Sequence, residues 1–88
     1  MPLFRIERPL PAPLATEEMD AAAFRAIICL HHFKDLKWIR SFYDPARAHF
    51  TCYYEAQSAD DLRKHAELAQ IPCETVAEVT EYLPQSYR

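Results

Sequence analysis

Apolar and charged residues alternate from Leu3 to Arg8, with Phe4 and Ile6 on one side and Leu3, Arg5 and Glu7 on the other, which is the period of a half-buried strand. The pattern stops at Pro9, and Pro9-Leu-Pro-Ala-Pro-Leu14 reads as an extended connector because proline cannot donate to a backbone ladder. From Thr16, read as an N-cap and followed by Glu17 and Glu18, the period becomes helical. Met19, Ala22, Ala23, Ala26, Ile27, Leu30 and Phe33 form one apolar stripe as far as about Phe33, with Phe24 and Ile28 on the opposite side.

Two stretches rich in aromatic and β-branched residues then flank Asp44-Pro45-Ala46-Arg47, where proline suits the second position of a type I turn. This predicts a hairpin with Asp44 opposite Arg47, and therefore Trp38 opposite Tyr53, Arg40 opposite Thr51 and Phe42 opposite His49 on one face. The other face carries Ile39, Ser41, Tyr43, Phe50, Cys52 and Tyr54. Ser58, with Asp61 three residues on, caps a second helix from Ala59 to Ala69, whose inward stripe is Leu62, His65, Ala66 and Ala69. Pro72 follows it, and Thr75 to Leu83 alternates as a last strand that puts Val76, Glu78, Thr80 and Tyr82 on one face. Pro84 to Arg88 reads as a loose tail unless Tyr87 docks.

The order βαββαβ predicts an α+β, ferredoxin-like domain spanning residues 1–88, a four-stranded antiparallel sheet with two helices on one face. The uncovered face would then expose Trp38, Phe42, Tyr53 and Tyr82. An aromatic surface of that size predicts an interface, so the chain is expected to pair sheet to sheet with a second copy as a dimeric α+β barrel.

Composition narrows the function classes. A net charge of −3 without a Lys/Arg cluster disfavours nucleic acid, whose affinity is built from basic side chains. No run approaches a membrane span. Glycine is absent, which removes phosphate-cradling loops of the GxGxxG or GxxxxGK kind. Cys29, Cys52 and Cys73 are odd in number and widely spaced, which suits reduced thiols and a cytoplasmic location.

Trp38-Ile-Arg-Ser-Phe42, Asp44-Pro45, Phe50-Thr-Cys52, Tyr54-Glu-Ala56, Arg63-Lys-His65-Ala66 and Pro72 together resemble the small ferredoxin-like proteins grouped as domain of unknown function 4242. The resemblance covers the central half of the chain. It implies a dimeric α+β barrel and a family that includes a nickel-binding protein, so nickel is the cofactor it suggests.

Three constellations could carry chemistry. His65 lies on an inward stripe, where a titratable ring needs a polar partner or a cavity, and Tyr54 and Ser41 are the candidates to face it. His65 as general base with Tyr54 as helper would suit a cofactor-independent cyclase, isomerase or lyase, a chemistry that some barrels of this fold carry out. The alternative is a core histidine with a satisfied hydrogen bond. On the open face, Arg5, Arg40, Glu7, Glu55, Glu78, His49 and Tyr53 could hold a small carboxylate-bearing or phenolic ligand, gripped by Arg40 and stacked on Trp38 and Tyr53, or could form a network of ion pairs between subunits. His31-His32 is a weak metal signal, since adjacent helical residues diverge. The reading is a homodimeric small-molecule-binding or metal-binding protein, with the enzyme as its alternative.

Overall fold

The computed structural model describes residues 1–87, and Arg88, with any docking of the Tyr87 side chain, lies outside the described residues. Strands β1 (Leu3–Pro9), β2 (Lys37–Asp44), β3 (His49–Glu55) and β4 (Thr75–Val79) form one antiparallel sheet in the order β2-β3-β1-β4. Helices α1 (Thr16–Cys29) and α2 (Ala59–Ala69) connect β1 to β2 and β3 to β4. This is the ferredoxin-like arrangement that the strand and helix periods predict.

The core lies between the sheet and the helices, where Phe4, Ile6, Cys52, Tyr54, Ala56 and Leu62 form a buried cluster. Helix α2 carries most of the helical share: Leu62, His65, Ala66 and Ala69 are all buried, as its period dictates. Ser58 caps it by accepting from the Asp61 N–H at 3.3 Å. Helix α1 is looser. Only Ala26 of its predicted stripe is fully buried, and Ile27 is exposed. The α-helix ends at Cys29 and a single 3-10 turn, Leu30–His32, carries the chain on to an extended Phe33. Its N-cap is Ala15 rather than Thr16, because Glu18 reaches back to accept from the Ala15 N–H at 3.2 Å.

The hairpin differs from its predicted register. Asp44 lies opposite His49, not Arg47, so Arg40 faces Tyr53 and Phe42 faces Thr51. The Asp44 carboxylate accepts from the N–H groups of Ala46 at 3.0 Å and Arg47 at 3.3 Å, which lengthens the turn, and Ala48 closes it with φ of 49°. A slip of two residues keeps every side chain on its expected face. A bulge between Trp38 and Arg40 does not. It pairs Trp38 with Tyr54 on the helix-covered face and moves Ile39 to the open one, exchanging the predicted places of these two residues.

Strand β4 stops at Val79, where its partner β1 runs out at Leu3. Glu78 lies opposite Phe4, which puts it on the helix-covered side, contrary to expectation, and Tyr82 falls beyond the strand. Residues Pro84–Tyr87 form a short 3-10 turn.

Candidate functional site

The helix-covered face. Strand β1 alternates Phe4, Ile6, Arg8 toward the helices, and the third of these is an arginine with only 4% of its surface exposed. Its Nε donates to Cys52 Sγ at 3.3 Å and its Nη1 to the carbonyl of Pro72 at 2.6 Å, while Nη2 is buried without a hydrogen-bond partner. Arg8 lines a cavity of about 390 Å³ between α1 and the sheet. Trp38, Ser41, Phe50, Cys52 and Tyr54 make its floor. The Trp38 and Tyr54 rings stack within 6° of parallel at 6.1 Å, and Trp38 Nε1 donates to Ser41 Oγ at 2.9 Å. Burial pushes the Tyr54 phenol up to about 12 even though the Arg8 charge pulls the other way. Arg8 was not among the residues singled out from sequence. The signal was there, since a residue two after Ile6 on a regular strand has to share its face.

His65 is sealed away from that cavity. It is completely buried under α1, and its Nε2–H donates to the carbonyl oxygen of Ala26 at 2.8 Å. That donor role leaves Nδ1 as an unprotonated acceptor, buried with no partner. Phe33 stands edge-on to the ring at 5.8 Å and Tyr54 lies tilted at 5.7 Å. The candidate partners Tyr54 and Ser41 give way to the main chain: the His65 hydrogen bond goes to Ala26, and Ser41 accepts from Trp38. Burial holds the His65 ring below its ordinary pKa, against the opposing effect of the Ala26 hydrogen bond. Tyr54 lines the cavity and His65 does not, so the proposed acid–base pair does not meet at a shared space.

The open face. Arg5, Glu7, Arg40, Phe42, His49, Thr51, Tyr53 and Glu55 lie on the side without helices, as their period requires. His49 Nε2 is 2.8 Å from Glu7 Oε2, and Arg5 Nε is 3.6 Å from Glu7 Oε1. The hydrogen bond from His49 is the main reason the Glu7 carboxyl sits below its ordinary value. Next to this network a groove of about 510 Å³ includes Arg5, Arg40, Phe42, Tyr53 and Glu55. Phe42 stands edge-on to Tyr53 at 6.3 Å and is 60% exposed. Arg40 and Tyr53 are thus brought together as predicted, while Trp38, meant to join them, lies on the far side of the sheet.

A nickel ion needs several nitrogen, oxygen or sulfur donors. Among the described residues no group of three or more His, Cys, Asp and Glu side chains is placed to hold a metal ion. Glu7 and His49 offer two donors that already satisfy each other, and His31 and His32 stand exposed in the 3-10 turn. One chain by itself therefore does not fit the metal. No helix among the described residues is long and apolar enough to cross a membrane.

Comparison with known proteins agrees with the fold. The crystal structure of SCO4226 from Streptomyces coelicolor A3(2) superposes with a TM-score of 0.81, at 16% identity, over 92% of this chain and 99% of that one. No curated protein sequence matches. The family model described as nickel responsive protein SCO4226-like matches residues 4–79, a span that runs from β1 through β4 and takes in both helices. On that match, the chain belongs to the SCO4226-like nickel responsive protein family.

Proposed function

We propose that this protein is a non-catalytic binding protein that works as a homodimer, with two open sheet faces packed together around a polar interior. The observation that carries the reading is the open face itself: Phe42, 60% exposed, stands on a sheet whose helices cover only the other side. An aromatic side chain in that position is what a partner surface covers. Around it, Arg5, Arg40, Glu55 and Tyr53 line a groove able to hold a small polar ligand, and Glu7 and His49 sit beside Arg5.

Nickel is the first ion to test, since the family's description names it. Two facing copies would bring two Glu7–His49 pairs to one interior, which supplies donors that a single chain lacks. The non-catalytic reading is supported by His65, whose Nε2–H is committed to a main-chain carbonyl away from any cavity lining. Three free cysteines support a reducing compartment such as the cytoplasm.

Paramagnetic line broadening tests the site. Adding Ni2+ to isotope-labelled protein is expected to broaden the amide signals of Glu7, His49 and Thr51, and His49→Ala is expected to abolish this. Broadening confined to His31 and His32, or none, would remove the metal from the open face.

A further inference from the structure

Among the described residues, the buried guanidinium of Arg8 has no acidic partner. The ion pairs among the described residues join Arg5 and His49 to Glu7 and Lys64 to Asp60, and none reaches Arg8. Its Nε and Nη1 are occupied by a thiol sulfur and a main-chain carbonyl, neither of which neutralises the charge, and Nη2 is left over. The Tyr54 ring, with its centroid 5.8 Å from the guanidinium carbon, offsets only part of the cost of a buried cation without a carboxylate, and a buried donor without an acceptor adds to that cost. Both deficits belong to a side chain that lines the cavity beneath α1.

The remaining walls define what could remedy them. Trp38 and Tyr54 present stacked rings, and Met19 and Ile71 add apolar surface. The Ser41 hydroxyl accepts from Trp38 and keeps its own proton to donate. Glu18, on the rim, is engaged with the Ala15 N–H. With one cationic side chain, one hydroxyl and an acidic first turn of α1 nearby, the site suits a single negative charge and not a dianion.

We infer that this cavity binds a small monocarboxylate with a flat, apolar body, its carboxylate on the Arg8 guanidinium and its body against the Trp38–Tyr54 stack. The volume of about 390 Å³ falls at the lower end of those that hold small organic ligands. The site lies on the opposite side of the sheet from the groove and the Glu7–His49 pair, so it stands or falls independently of the dimer and of nickel.

Trp38, the single tryptophan, makes the site self-reporting. Titration of the full chain with 3-phenylpropionate, exciting Trp38, is expected to give a saturable fluorescence change, and the neutral 3-phenylpropanamide to bind at least about tenfold more weakly. Arg8→Gln should bring the acid down to the affinity of the amide while leaving the amide unchanged. Ala22→Phe, which fills the cavity from α1 without touching the charge, should block both. Equal binding of acid and amide, or no saturable response up to about 10 mM acid, would overturn the assignment on the unmodified protein, whether or not Arg8→Gln folds.

Discussion

The Nε2–H of His65 donates to the carbonyl oxygen of Ala26 at 2.8 Å, and this bond joins α2 to α1 across the one fully buried position of α1. Helix α1 otherwise lies loosely on the sheet, with Phe24 and Ile28 facing out. The imidazole thus acts as a fastener. His65→Ala is expected to lower stability by about 2–4 kcal/mol, through the cavity it leaves and the carbonyl it strands. Denaturant unfolding measures this, and the loss of helical signal should begin in α1.

The same ring sets a pH dependence. Burial depresses its folded pKa below the ordinary 6.5, so the unfolded chain takes up a proton before the native protein does. Stability from this group is complete above about 6.5, falls as pH drops toward the folded value, and levels off below it. Midpoints of urea unfolding between pH 7.5 and 5 should fall in the wild type, and His65→Phe should flatten this part of the profile.

Tyr54 predicts the opposite limb. Its phenol ionises at about 12 in the native protein against 10.0 ordinarily, so its contribution is complete below pH 10 and is lost as pH rises toward 12. In a spectrophotometric titration at 295 nm, Tyr54→Phe should delete a late step that coincides with alkaline unfolding.

Glu7 gives an acid limb from the open face. Its carboxyl, held below 4.5 chiefly by His49, stabilises the fold above that value, and the contribution is lost as pH falls through the folded pKa. His49→Ala should move the Glu7 carboxyl signal in an NMR titration back up toward 4.5.

Ala48 and Gln70 occupy left-handed backbone conformations, with φ of 49° and 58°, where a glycine would carry no Cβ penalty. Because the chain contains no glycine, both turns retain that cost. Ala48→Gly and Gln70→Gly should each raise stability, by about 0.5–1 kcal/mol, in thermal or chemical unfolding.

Much of this molecule could be read from residue spacing. The alternation of β1, the stripe of α2 and the Ser58 cap are local patterns with one physical solution, and the βαββαβ order followed from them. The tight-turn reading of Asp44–Arg47 missed the two N–H groups that the Asp44 side chain captures, an error of two residues that left the faces intact. The bulge was costlier. An extra residue beside Trp38 leaves no periodic trace in so apolar a run, so the aromatic ring was assigned to the wrong site. Arg8 and Glu78 show the converse: strict alternation and strand pairing set their faces, but a charge at the end of an apolar strand reads as a boundary, and the pairing of β4 depends on its remote partner β1.

The most direct test of the proposed dimer is sedimentation velocity of the wild type and Phe42→Asp at micromolar concentration. Phe42 is exposed enough that its replacement should leave a single chain folded. The wild type is expected at twice the chain mass and Phe42→Asp at the mass of one chain. A wild type that sediments as folded single chains, or a Phe42→Asp variant that stays paired, would contradict packing through the open sheet face.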